Sequence, residues 1–186
     1  MLIFCDAMGQ YFIFVNPIKR QFLDPGKFDE GVKYYSVLYG YHAYAIALLV
    51  CNLTEVDHSY GQLAGSWCGD PVIVAGDDEG EADAYGIKTS TLENPERNLY
   101  WRASEEFDDI SYRAVAMLSV GRKGFVDEVV ARTLNGFSPS SGLIELGNVV
   151  IETGCEPLKQ ALVKGFGESW TDKYMAALKE REDDLS

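Results

Sequence analysis

The sequence predicts an α+β fold. A mixed or antiparallel sheet opens with an N-terminal hairpin and is packed by helices, with a second hairpin plus helices at the C-terminal end. Three observations lead there. Residues 10–23 read as two β-rich runs between turn signals, and later segments read as helices bounded by glycine. Strands and helices also mix without the regular alternation of a doubly wound sheet. With 186 residues, 47% of them apolar, the chain is long enough for one domain to bury a core without disulfides or metal.

The elements follow in order. Gln10 to Val15 are mostly aromatic or β-branched and stop at Asn16-Pro17; Gln21-Phe22-Leu23 stop at Asp24-Pro25-Gly26. Proline has no N–H to give a ladder, so both prolines belong in turns and the two runs form a hairpin. Asp29 is placed to cap a helix through Val32, Tyr35 and Tyr39, broken at Gly40. Tyr41 to Cys51 is apolar nearly all round, which predicts burial on most sides, and its alanines favour helix. Gly65 to Asp70 is turn chemistry ahead of a strand at Pro71 to Ala75, and Gly76 to Asp83 is an acidic loop. Asn98 to Arg102 is a short apolar element. Asp109 caps a helix from Ile110 to Ser119, and Val126 to Leu134 forms another, stopped by Asn135-Gly136.

Ser138-Pro139-Ser140-Ser141-Gly142 reads as a linker. It divides an α+β domain of residues 8–136 from an appended segment, 143–186, of the same domain or a small module. There, Leu143 to Leu146 and Val149 to Ile151 flank Gly147-Asn148 as the strands of a hairpin flank a turn. Pro157 to Leu185 is helical, split at Gly165 and Gly167.

Charge is unevenly spread. The net −13 and a pI near 4.5 exclude a protein that holds nucleic acid by neutralising phosphates. Residues 51–110 carry three basic and fourteen acidic side chains, while residues 1–50 balance and residues 111–186 sum to −2. The plain reading of such a block is solvation. The functional reading is a basic protein partner met through Trp67, Asp70, Asp77, Asp78, Glu79, Glu81 and Asp83, with nucleic-acid mimicry as its sharper form. Trp67, between Gly65 and Gly69, either covers the core edge or offers a flat contact surface. Asp70 and Asp77 bracket a strand and stand roughly 20 Å apart at ~3.3 Å per residue, too far to share one reacting atom. Each reads as a turn aspartate bonding nearby N–H groups.

No catalytic residue, metal ligand or cofactor is assigned. His42 lies in the apolar run and reads as a core histidine; His58 lies in a polar loop. No nucleophile elbow, Walker A loop, dinucleotide fingerprint or H-E-x-x-H pattern occurs, and EF-hand spacing fails around Gly80 and Gly86. Cys5, Cys51, Cys68 and Cys155 lack ligand spacing and read as reduced thiols. Two alternatives remain beside the binding protein. One is a carboxylate-based, divalent-cation-dependent hydrolase using Asp77, Asp78, Glu81 and Asp83 with His58. The other is a structural subunit in which Tyr34, Tyr35, Tyr39, Tyr41 and Tyr44 either line a core or meet another subunit. The oligomeric state stays open between them. The N-terminus has no basic leader region, and the longest apolar stretch, Val37 to Cys51, falls short of the ~18 residues of a span. A soluble cytoplasmic protein with no membrane contact is expected.

Several motifs recur together: Met8-Gly9-Gln10-Tyr11-Phe12, Val15-Asn16, Lys19, Leu23-Asp24-Pro25, Lys27-Phe28, Ser66-Trp67-Cys68-Gly69-Asp70 and Gly76-Asp77. In these the chain resembles a group of small proteins that begin M-G-Q-Y and carry a W-A-G-D … G-D-Y pattern after an apolar helix. The likeness covers about residues 8–115, with Cys68 where alanine is usual and Asp78 where tyrosine is usual. The group has no established activity, so the resemblance implies a compact domain starting at Met8 and no particular chemistry.

Overall fold

The computed structural model describes residues 11–28, 40–52, 63–77, 99–119, 123–136 and 139–184. The helix expected at 29–39, His58, Cys5 and the acidic loop beyond Asp77 lie outside them. The N-terminal hairpin forms as predicted. Strands β1 (Phe12–Asn16) and β2 (Gln21–Leu23) pair antiparallel, with Phe14 opposite Leu23. Strand β3 (Ile73–Gly76) lies antiparallel on the other side of β1, and the two-residue β4 (Asp108–Asp109) lies parallel beside β2. The result is a mixed sheet of order β3-β1-β2-β4 packed by helices, an α+β fold.

Strand β1 is buried on both faces, which is why Phe12 to Val15 are apolar without alternation. Phe12 and Phe14 enter the main core with Leu23. Ile13 and Val15, one residue out of phase, join Phe22 and Ala75 under Leu99 and Ala103 of helix α2 (Leu99–Glu106). Of the apolar element expected at Asn98 to Arg102, residues 99–102 are the start of that helix.

The main face carries a 3₁₀ turn at Pro25–Phe28, helix α1 (Tyr41–Val50) and helix α3 (Ser111–Ser119). Helix α1 is less enclosed than its composition predicts. His42, Ala45 and Leu49 face inward at helical spacing, whereas Tyr44 and Val50 are exposed. A tyrosine keeps its hydroxyl wet and a single surface valine is ordinary, so an apolar sequence does not enforce burial. His42 is fully buried as expected, against the rings of Phe14 and Phe28.

Helix α3 starts where the sequence places it, with Asp109 Oδ1 accepting the Ser111 N–H at 2.9 Å. It contacts α4 (Lys123–Asn135), α5 (Pro139–Thr153) and α6 (Glu156–Phe166), and α7 (Trp170–Asp184) closes over α5. The linker expected at 138–142 and the hairpin expected at 143–151 are corrected here: residues 139–151 belong to the single helix α5, and Ser138 lies outside the described residues. Pro139 opens it, where a missing N–H costs nothing. Leu143, Leu146, Val149 and Val150 recur at helical spacing and fill the core. Gly147 is a packing residue, since a Cβ there would lie 2.5 Å from Tyr174 Cδ2. The split between α6 and α7 falls at Gly167 (φ 89°), as predicted, but Gly165, also expected to break the helix, lies within α6, where a Cβ would stand 2.7 Å from Val130 Cγ1. One continuous core runs from Phe12 to Tyr174. Among the described residues, no helix is long and apolar enough to cross a membrane.

Candidate functional site

Three of the residues expected to meet a partner are described. Trp67 is fully buried, with Nε1 donating to Gln21 Oε1 at 2.9 Å. Its neighbouring turn is pinned to α1 by Gly65 and Trp67 N–H bonds to the Leu48 and Leu49 carbonyls, 2.7 and 2.8 Å. Trp67 therefore covers the core, and the flat contact surface is excluded for it. Gly69 (φ 80°) supplies the left-handed residue that this turn requires.

Asp70 closes the hairpin. Its carboxylate accepts the Asn16 amide at 3.0 Å and faces Lys19 Nζ at 3.8 Å. Asn16, fully buried, uses its own carbonyl to accept the Ile18 and Lys19 N–H groups at 3.0 Å each. Asp70 thus acts through a side chain and not through the nearby backbone N–H groups expected of it. Asp77 does take a backbone group: Oδ1 accepts the Tyr11 N–H at 2.8 Å, and its own N–H donates to the Tyr11 carbonyl. The two aspartates sit at opposite ends of the β1–β3 ladder, as their spacing predicts. Asp78, Glu79, Glu81 and Asp83 lie outside the described residues.

Much of the described acidity is answered within the chain. Glu106 is paired with Arg20 and Arg102, Asp108 with Arg113, and Asp109 with Lys27. Among the described acidic residues of the 51–110 stretch, Asp70, Glu106, Asp108 and Asp109 thus face cations of the same chain, and Asp77 bonds a backbone N–H group. Beside Asp77 stand aromatic side chains that the sequence reading did not assign. Trp101 is half-exposed and donates Nε1–H to the Asp77 carbonyl at 3.3 Å. Tyr11 is exposed to the same degree, and Tyr100 meets Trp101 edge to face at 5.1 Å. Burial foremost, with the nearby Asp24 and Asp77 carboxylates, pushes the Tyr100 hydroxyl pKa up. The hint in the sequence was the Tyr100-Trp101 pair itself, which reads equally as core.

A second cluster also escaped the sequence. Lys27 Nζ bridges Asp109 at 2.7 Å and Glu145 at 2.5 Å and lies 4.9 Å from the Tyr112 ring centre. Burial pulls the ammonium pKa down, but the two carboxylates overcome it and hold Lys27 above its ordinary value. Asp24 next to it is pushed up, chiefly by burial. Lys27 and Glu145 edge a cavity of about 220 Å³, with Tyr112, Arg132, Thr133 and Gly142 on its wall. Among the described residues no group of three His, Cys, Asp or Glu side chains is placed to hold a metal ion. No family model matches the chain, and no curated protein or solved structure matches it either.

Proposed function

We propose that this chain is a non-catalytic interaction protein that meets a basic partner protein through the acidic 70–83 region. The observation that carries the reading is Trp101, held half-exposed against the Asp77 carbonyl beside Tyr11, where the acidic run begins. An exposed tryptophan costs solvation unless covered, and tryptophan with tyrosine forms the usual energetic centre of an interface. Aromatic faces also attract Lys and Arg, so the aromatic group and Asp77 favour the same kind of partner. Asp78, Glu79, Glu81 and Asp83 extend the negative potential along the chain and would speed encounter with a basic surface. Asp70, at the other end of the β1–β3 ladder, and the buried Trp67 hold the hairpin and the core on which Asp77 is carried.

Affinity capture at low and at high salt tests the proposal, comparing the natural chain with a charge-reversed variant (D77K, D78K, E79K and E81K) and with W101A. The reading requires a partner held at low salt, weakened at high salt, and lost from both variants. A partner retained equally by the charge-reversed chain contradicts it. Nucleic-acid mimicry is the narrower case: the captured partner would also bind nucleic acid, in competition with this chain.

A further inference from the structure

We propose that the ring corner of Tyr100 and Trp101 beside Asp77 receives the trimethylammonium head of a methylated lysine on the basic partner. The inference rests on the interaction surface proposed above and names the group that it takes. Tyr100 and Trp101 are consecutive in α2, and their rings meet at 77° with centres 5.1 Å apart. Two ring planes at nearly a right angle leave a corner where a rounded group touches both faces, whereas a planar guanidinium stacks on one. Tyr11 stands at the same place. Its N–H donates to Asp77 Oδ1 at 2.8 Å, and the Asp77 carbonyl takes the Trp101 indole N–H at 3.3 Å, so one aspartate ties Tyr11 to α2. Tyr11 and Trp101 are each 50% exposed, which leaves both side chains open to an arriving group.

The chemistry of the corner sorts cations. A bare lysine ammonium is strongly hydrated and brings three N–H donors that need acceptors. Here Asp77 Oδ1 and the Asp77 carbonyl already accept the Tyr11 and Trp101 N–H groups, and what Tyr100 and Trp101 add is ring surface. A trimethylammonium has no N–H to satisfy and presents its charge through methyl groups, so ring faces suit it. The Asp77 carboxylate adds a negative charge, an attraction that needs no hydrogen bond. That charge is felt at Tyr100, whose hydroxyl pKa is pushed up by burial first and then by Asp24, Asp77 and Tyr11.

The Trp101 indole N–H resonance, identified by its loss in W101A, reports occupancy when the natural chain is titrated with the amide of acetylated trimethyllysine. Two controls share the probe's length: the unmethylated lysine derivative, and an uncharged analogue with a tert-butyl group in place of the trimethylammonium. The trimethylated probe should shift the resonance saturably and bind about tenfold more tightly than either control. D77N keeps an oxygen for the Tyr11 N–H and removes the charge, so it should weaken the probe several-fold while the Trp67 and Trp170 resonances stay in place. No saturable shift with the trimethylated probe, or equal affinity for either control, overturns the proposal. Capture of a basic partner is a separate measurement, so a partner held while the probe fails removes the methyl-lysine assignment and leaves the wider surface standing.

Discussion

Removing the Asp70 carboxylate leaves the buried Asn16 amide without its acceptor and Lys19 without its ion pair. An unpaired buried donor costs about 1–3 kcal/mol, so D70A should lose that much stability in urea unfolding. D70N, which keeps an oxygen for the amide, should lose less than about 1 kcal/mol. The Lys27 cluster gives a pH signature. Folding raises the lysine pKa above its ordinary 10.5, so its stabilisation is full below pH 10.5 and fades as pH climbs through the higher folded value. Unfolding free energies measured across the alkaline range should fall for the natural chain and stay flatter for K27M. Asp24 runs the other way. Its carboxyl is raised above 3.8, so the fold favours the protonated form and ionisation costs stability near neutrality. D24N retains an oxygen for the Gly26 N–H, so it should stabilise the protein at pH 7 and have little effect below pH 3.8.

Helix α5 shows what local sequence leaves ambiguous. Leu143 to Leu146 and Val149 to Ile151 around Gly147-Asn148 carry the composition of a hairpin, and a short apolar run has no period that separates strand from helix. Only the tertiary contact with Tyr174 explains why glycine stands at 147, and Tyr174 also donates its hydroxyl to Asn148 Oδ1 at 2.7 Å. Alanine raises helix propensity by about 1 kcal/mol over glycine, yet G147A drives its methyl group into the Tyr174 ring. Overpacking of this kind costs about 1–3 kcal/mol, so the variant should be destabilised despite its better helix former. Thermal unfolding followed by circular dichroism checks the sign. The N-terminal hairpin was legible because Asn16-Pro17 and Asp24-Pro25-Gly26 are turn signals whose mechanism is local. The Asp109 cap was legible for the same reason. The Lys27 cluster and the cavity beside it were not, because their groups come from residues 24–27, 109–112, 129–136 and 142–145 and no segment alone carries a motif. Trp101 was hidden differently: an aromatic pair at a helix start reads the same whether it faces core or solvent.

Across the whole molecule, charge and hydrophobicity are sorted. Fourteen of the chain's twenty-nine acidic side chains fall in residues 51–110, and Glu106, Asp108 and Asp109 are tied to Arg20 of the hairpin turn, Lys27 of the 3₁₀ turn, Arg102 of α2 and Arg113 of α3. Internal pairing therefore fixes the sheet's edge, while Asp77, the first residue of the acidic run in the sequence, sits beside Trp101 and Tyr11. Because Trp67 and Trp170 are buried and Trp101 is half-exposed, acrylamide quenching of tryptophan fluorescence reports chiefly on Trp101. W101A should unfold within about 0.5 kcal/mol of the natural chain, as surface changes do, and should lose most of the quenchable signal. The most direct measurement is this quenching before and after adding the partner recovered by affinity capture at low salt. Covering of the Asp77–Trp101 surface predicts a clear fall in the quenchable fraction, restored by high salt. Unchanged quenching in a complex that has formed would place the contact elsewhere and contradict the account.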